Sequence, residues 1–387
     1  MGQEGFNLTV LQVLPALETG GVERGAVDVA AAIVAAGGRA IVASAGGRLE
    51  AELARAGATH LKMPVDRKSP RYLWRNVERL AALIRNEKID IIHARSRAPA
   101  WSARAAARRV GIPFVTTFHG VYNFGSPLKK VWNRIMTTGD GVIAISEFVA
   151  RHVEENYGVP RSRIDVIHRG IDTDRFDANA VSTSRVAALA RNWRLPDDAP
   201  IVMLPGRLAR WKGHRILIEA LAGLGRSDVV ALLVGSEAGR ESYRNELIRD
   251  VRGKGLERTV RFVGHCSDMP AAFKLASVVV SASTEPEAFG RVCAEAQAMG
   301  RPVIASNHGG ARETVVAGAT GWLTPPGDAT ALTNALAEAL SLSEEVRMTM
   351  AQAATLHIRE KFSLASMTRA TLAVYARVRR DASLGDA

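Results

Sequence analysis

Short runs of β-branched and aliphatic residues alternate along this chain with longer segments of helical spacing, and that alternation restricts the fold more than any other feature. It is the signature of parallel α/β layers. Strands are expected at 8–14, 40–44, 89–93, 114–118 and 142–145, with helices at 23–36, 48–56, 73–86, 98–110 and 147–157. Residues 172–198 are polar and irregular, with a helical interlude around 184–192, and read as a connection. Strands at 201–204, 229–234, 260–263, 278–281 and 303–306, with helices between them, then form a second series, closed by helices at 329–342, 343–361 and 364–380.

A length of 387 residues suits two to three domains, and 47% hydrophobic residues supply two cores. The cysteines are two, Cys266 and Cys293, so no disulfide framework is implied and a reducing cytoplasm is the expected location. Residues 1–10 lack a basic region followed by an apolar run, so no signal peptide is expected. Gly2 raises a myristoylation pattern that fails because Phe6 stands where Ser or Thr is needed. The apolar stretch 26–36 is interrupted by Asp28 and is far shorter than the roughly 20 residues of a membrane span.

Charge is unevenly spread. Residues 62–134 carry 16 Lys or Arg and four Asp or Glu, an excess that equals the formal net charge of +12 of the whole chain. Tyr72, Trp74, Trp101 and Trp132 are interleaved with these cations. Such a surface attracts anions. Anionic lipid headgroups, a phosphorylated glycolipid and nucleic acid all fit, as does a set of solvated helix faces. No helix-turn-helix, zinc-finger or RNP-type sequence accompanies the charge, so nucleic acid is not expected.

Candidate chemistry gathers in the second half. Thr284-Glu285-Pro286-Glu287-Ala288-Phe289-Gly290-Arg291-Val292-Cys293-Ala294-Glu295 places two carboxylates, Glu287 and Glu295, around the start of a helix. Carboxylates accept from sugar hydroxyls, and a helix N-terminus attracts phosphate. Carboxylates at this spacing also occur on ordinary solvated helices. Their context includes Pro205-Gly206-Arg207, Trp211-Lys212-Gly213, Phe262-Val263-Gly264, Gly300-Arg301-Pro302 and Asn307-His308-Gly309-Gly310.

In that order these segments resemble the retaining glycosyltransferases of family 4. Glu18-Thr19-Gly20-Gly21-Val22-Glu23, Thr117-Phe118-His119-Gly120, Gly170-Ile171-Asp172 and Gly321-Trp322-Leu323 extend the resemblance over nearly the whole chain. Residues 17–23, His93-Ala94-Arg95-Ser96-Arg97 and 118–124 look, more narrowly, like bacterial lipopolysaccharide-core glycosyltransferases. The resemblance implies the α/β GT-B fold: two Rossmann-like domains with parallel sheets facing across a cleft, and a C-terminal helix crossing back to the first domain. The expected divisions are 1–180 for acceptor binding, 181–364 for nucleotide-sugar binding, and 365–387 for the crossover helix and tail.

By the same resemblance, Arg207 and Lys212 bind the donor diphosphate and stabilise the leaving group. Glu287 and His119 orient the donor sugar, the amides of Ala288, Phe289 and Gly290 face its hydroxyls or the diphosphate, Glu295 holds the ribose, and Val263 lies near the base. Gly21 belongs with the donor phosphate, while Gly20, Arg95 and Arg97 belong with the acceptor. Asp172-Thr173-Asp174 matches an Asp-x-Asp metal pair but falls in the family's turn after the first domain, so neither metal nor cofactor is expected. The activity implied is metal-independent transfer of a hexosyl group, from GDP-mannose or a UDP-sugar, to a glycan or anionic glycolipid of lipopolysaccharide core. The location implied is cytoplasmic, with peripheral contact to anionic membrane through 62–134. A nucleotide-sugar epimerase on the same fold and a noncatalytic nucleotide-sugar or glycolipid binder remain as alternatives. Donor, acceptor, linkage and oligomeric state are left open.

Overall fold

The computed structural model describes residues 6–18, 20–122, 124–237 and 239–385; Gly2, Thr19 and Asn123, which the motif readings touch, lie outside them. The chain divides into two compact units, one formed by residues up to Gly170 together with those from Leu364 onward, the other by Ile171–Ser363.

In the first unit the chain runs β1 (Thr9–Val13), α1 (Gly21–Ala35), β2 (Arg39–Ser44), α2 (Glu50–Arg55), β3 (Thr59–Lys62), α3 (Pro70–Asn86), β4 (Ile91–Ala94), α4 (Arg97–Val110), β5 (Phe114–Phe118), α5 (Pro127–Asn133), β6 (Gly141–Ala144), α6 (Glu147–Tyr157) and β7 (Ile164–Val166). The seven strands form one parallel sheet in the order β3-β2-β1-β4-β5-β6-β7. Every residue of β1, β4, β5 and β6 is buried, as both-face coverage by helices demands. Local signals end the helices: α6 starts where the Ser146 hydroxyl accepts from the Val149 amide, and α4 and α6 stop at left-handed glycines, Gly111 and Gly158.

The second unit runs α7 (Thr183–Asn192), β8 (Ile201–Pro205), α8 (His214–Leu224), β9 (Val230–Val234), α9 (Glu241–Gly253), β10 (Val260–Gly264), α10 (Met269–Leu275), β11 (Val278–Ser281), α11 (Arg291–Ala298), β12 (Val303–Ser306), α12 (Ala311–Thr314), β13 (Gly321–Thr324), α13 (Ala329–Ser341) and α14 (Glu344–Lys361). Its six strands are again parallel, in the order β10-β9-β8-β11-β12-β13. Leu204, Leu217, Leu233, Val280 and Leu336 centre its core. The last helix, α15 (Leu364–Gly385), belongs to the first unit, where Val374, Tyr375 and Val378 join Val10, Ile33 and Val115 in one apolar cluster. Both units are Rossmann-like, which is the GT-B fold class.

The division falls at Gly170/Ile171, ten residues before the boundary expected at 180. The Ile171 amide donates to the Phe362 carbonyl at 2.7 Å, and Ile171 bridges Ser363, which ties the connecting segment to the second unit. Three strands and two helices, α5 and the four-residue α12, were not expected. β3, β7 and β13 are sheet edges of three or four residues, partly exposed, and α5 is hidden in a basic stretch. Among the described residues no helix is long and apolar enough to cross a membrane.

Candidate functional site

Ligands of open parallel sheets bind beyond the carboxyl ends of the strands, where the strand order reverses. In the second unit that point lies between β8 and β11, and the residues singled out from the motifs collect there. After β8 the chain turns at Gly206, whose φ of +152° favours glycine, and the Gly206 amide donates to Val234 at 2.8 Å. A short 3-10 turn, Arg210–Lys212, then ends at Gly213 in the left-handed conformation. A Cβ on Gly213 would overlap the Ala282 carbonyl, so the glycine lets this turn lie against the end of β11.

That close approach brings Lys212 to Glu287. Lys212 Nζ donates to Glu287 Oε1 at 2.8 Å, Ser283 Oγ donates to the same oxygen at 2.6 Å and Ser281 Oγ at 3.3 Å. Both charged side chains are largely buried, with 13% and 15% of their surface exposed. Burial pushes the Glu287 carboxyl up, but the Lys212 charge and the donated hydrogen bonds outweigh it and hold the group below its ordinary range. Three donors share Oε1, whereas Oε2 has no partner among the described residues. A carboxylate anchored by one oxygen presents the other as an acceptor.

The backbone behind Glu287 is set by the Asn307-His308-Gly309-Gly310 segment. The Gly310 amide donates to the Glu287 carbonyl at 2.8 Å, and His308 Nε2 donates to the Ser283 carbonyl at 2.8 Å. A Cβ on Gly310 would overlap the backbone of Phe289. Gly290, at φ +81°, caps α11 without a side-chain acceptor. Glu295 lies on α11, buried, with its Oε1 accepting from Arg291 Nε at 2.6 Å. Arg207 is exposed with no partner among the described residues, and Val263 sits in the β10 register break between Phe262 and Gly264. Burial pushes the Cys293 thiol up to about 12, so it stays protonated.

In the first unit the corresponding end of the sheet carries His93, Arg95, His119 and Arg169 around a cavity of about 20 Å³, enough for a water molecule. Arg95 is buried; its Nε donates to Gln12 Oε1 at 2.6 Å, and its Nη2 is enclosed without a hydrogen-bond partner among the described residues. Arg169 donates to His119 Nδ1 at 3.2 Å and to the Gly21 carbonyl. Burial first, then the Arg169 and Arg95 charges, hold the His119 imidazole well below its ordinary pKa, so it is neutral. With Nδ1 accepting, the proton sits on Nε2, which is enclosed and has no hydrogen-bond partner among the described residues. His93 bridges Tyr375 Oη at 2.6 Å and Thr117 Oγ1 at 2.8 Å.

Arg97 lies apart from this cluster. It donates to Asn133 Oδ1 at 2.8 Å, stacks over the Tyr122 ring at 4.3 Å, and lines a second cavity of about 450 Å³ with Lys68, Lys129 and Trp132. Gly20 precedes α1 and Gly21 begins it. Asp172 does not pair with Asp174 side chain to side chain; its Oδ1 accepts from the Asp174 and Arg175 amides, which makes a turn. Sequence reading missed Ser281, Ser283, Gln12 and Arg169. The two serines alternate at the end of β11 and were visible as such; nothing local marks Gln12 or Arg169 as partners of residues 83 and 50 positions away.

Comparison with known proteins bears on both units. The family model of Glycosyltransferase Family 4 matches residues 19–175, and that of Glycosyl transferases group 1 matches residues 187–357. A crystallised glycosyltransferase from Rickettsia africae ESF-5 is 37% identical, with a TM-score of 0.90 over 96% of this chain and 98% of its own. The Anabaena HepE structure in complex with UDP-glucose is 26% identical, with a TM-score of 0.81 over 95% of this chain and 98% of that one. A D-inositol 3-phosphate glycosyltransferase of Streptomyces avermitilis is 30% identical over 64% of this chain; the match spans 57% of that relative's length.

Proposed function

The chain belongs to the family 4 glycosyltransferases, and on that premise we propose that it moves a hexosyl group from a nucleotide-diphosphate sugar to an anionic glycolipid acceptor with retention of anomeric configuration. The observation that carries this reading is Glu287, fixed through Oε1 by Lys212, Ser281 and Ser283 and open at Oε2. Glu287 Oε2 accepts from a hydroxyl of the donor sugar. Arg207, without a partner among the described residues, and Lys212 neutralise the diphosphate as it leaves. Glu295 takes the ribose hydroxyls, Val263 lies by the base, and the amides of Ala288, Phe289 and Gly290 complete the donor cradle. In the first unit, neutral His119 helps orient the donor sugar, Gly21 adjoins the donor phosphate, and Gly20, Arg95 and Arg97 serve the acceptor. No side chain is required as base, because a donor phosphate oxygen takes the proton of the attacking hydroxyl on the face the diphosphate leaves. No metal takes part, since fixed cations supply the neutralising charge.

The UDP-glucose complex of HepE makes a UDP-sugar the first donor to try, with GDP-mannose the second. Resemblance of residues 17–23, 93–97 and 118–124 to core transferases supports lipopolysaccharide core as the acceptor class. The excess of cations in 62–134 supports peripheral contact with anionic membrane on the cytoplasmic side. A thermal-shift panel of UDP- and GDP-linked sugars, followed by nucleotide release with and without truncated core acceptor, tests the proposal. Stabilisation by one nucleotide series and acceptor-dependent release that survives a chelator is the expected result. Absence of nucleotide binding overturns the donor site, and product formed from donor alone, without an acceptor, overturns the transferase reading.

A further inference from the structure

We propose that the small cavity at the carboxyl end of the first unit's sheet is a binding site for a monatomic anion, chloride or another halide, held between Arg95 and His119. This goes beyond the reaction proposed above and needs neither donor nor acceptor. The cavity of about 20 Å³ admits one small guest. Two N–H groups of its lining residues, Arg95 Nη2 and His119 Nε2, are enclosed and have no hydrogen-bond partner among the described residues. A buried donor left unmet costs the desolvation of its group, and a charged one costs more. Arg95 is 4% exposed, so bulk water does not meet that cost.

The chemistry of the lining selects the guest. Arg95 also bonds the Tyr375 hydroxyl and can only donate, so Tyr375 Oη accepts and directs its own hydrogen to His93 Nδ1 at 2.6 Å. His93 Nε2 then donates to Thr117 Oγ1 at 2.8 Å, and the Thr117 hydroxyl, on a residue that lines the cavity, has its hydrogen left to give. No Asp or Glu stands in the lining. Two guanidinium groups converge beside it, since a Cβ built on Gly25 would lie 3.3 Å from Arg169 Nη2 and 3.7 Å from Arg95 Nη1. The Asp28 charge acts on Arg95, but no carboxylate is among the groups whose charge bears on His119. A water molecule here needs acceptors for two hydrogens. A halide accepts from every side and brings the charge that buried guanidinium groups attract.

Thermal unfolding of the full chain in sodium chloride and in sodium gluconate, at one ionic strength, tests this, because gluconate is too large for the cavity. Tm is expected to be about 2–4 °C higher in chloride, with bromide replacing chloride and Arg95→Gln removing the difference. Crystals of the native chain grown in sodium bromide are expected to give an anomalous peak in contact with Arg95 Nη2 and His119 Nε2, a measurement that holds even where Arg95→Gln does not fold. Both are read without nucleotide, so their failure and a failure of donor binding are separate results. Three outcomes overturn the proposal: a bromide map with no peak at this place, equal Tm in the two salts, or a chloride effect that Arg95→Gln leaves intact. A Tm raised through Arg95 by inorganic phosphate and not by chloride also overturns it, assigning these donors to an anionic group of a substrate.

Discussion

The two units carry the same parallel α/β frame, yet their ligand-facing ends are finished in opposite ways. In the second unit the buried charged groups are anchored by internal partners, with Arg207 and Glu287 Oε2 left open: Lys212 is on Glu287, Ser281 and Ser283 are on the same oxygen, and Arg291 is on Glu295. In the first, Arg95 Nη2 and His119 Nε2 are enclosed without partners among the described residues, and the cations around α5 outnumber the carboxylates that pair with them. A site whose buried polar groups are anchored by internal partners holds its shape before a ligand arrives. A site with unpaired donors is stabilised by whatever fills it.

The contrast can be broken most directly at Lys212. Lys212→Ala should lower kcat by about 10²–10³, the loss expected when a charge facing the departing diphosphate is removed. Steady-state nucleotide release measures it, and unchanged turnover would show that the internal ion pair is structural only. Acid provides the next test. His214 is fully buried, and burial holds it at about 4 against an ordinary value of 6.5. It is therefore neutral in the fold, and the unfolded chain binds its proton first as pH falls. Stability from this group is intact above pH 6.5 and drains as pH falls toward 4, by up to about 2 kcal/mol at pH 5. Urea unfolding at pH 7 and pH 5 should show that loss in the native chain and less of it in His214→Gln.

A smaller effect is expected at Glu295. On the proposed ribose role, Glu295→Gln weakens a contact made in ground and transition states alike, so donor KM should rise about tenfold with kcat nearly constant. A fall in kcat instead would move Glu295 from binding into the reaction. The least effect belongs to the first unit, where Tyr375→Phe removes the hydroxyl facing His93 Nδ1. About 1 kcal/mol of stability should be lost, seen as a lowered Tm, with donor binding unaffected. If donor binding falls with it, the first unit is as preorganised as the second and the contrast fails.

Much of this was legible in the residues because the signals are local. β5 and α6 appear at their expected limits, since apolar runs and a Ser cap with a closing glycine need only neighbours in sequence. Gly206, Gly213, Gly309 and Gly310 stood out in the motifs, and each occupies a place where backbone packs on backbone or φ is positive. β3 escaped notice because an edge strand with only half-buried side chains shows no clear alternation. Ser126-Pro127 was a readable start signal for α5, masked by the lysines that follow. Arg169 and Gln12 were beyond reach, since their partners come from other strands and only the closed sheet brings them together.

The placement of α15 also governs the order of events on the ribosome. All of Ile171–Ser363 is synthesised before residues 364–385, and its two ends already meet through the Ile171 amide and the Phe362 carbonyl. The middle of the polypeptide is thus able to complete its fold while the beginning waits. Until the last turns emerge, His93 lacks the Tyr375 hydroxyl and the apolar cluster around Val10 lacks Val374 and Val378. The half made first is finished last, and in that interval its open apolar face is what a nascent-chain chaperone would find.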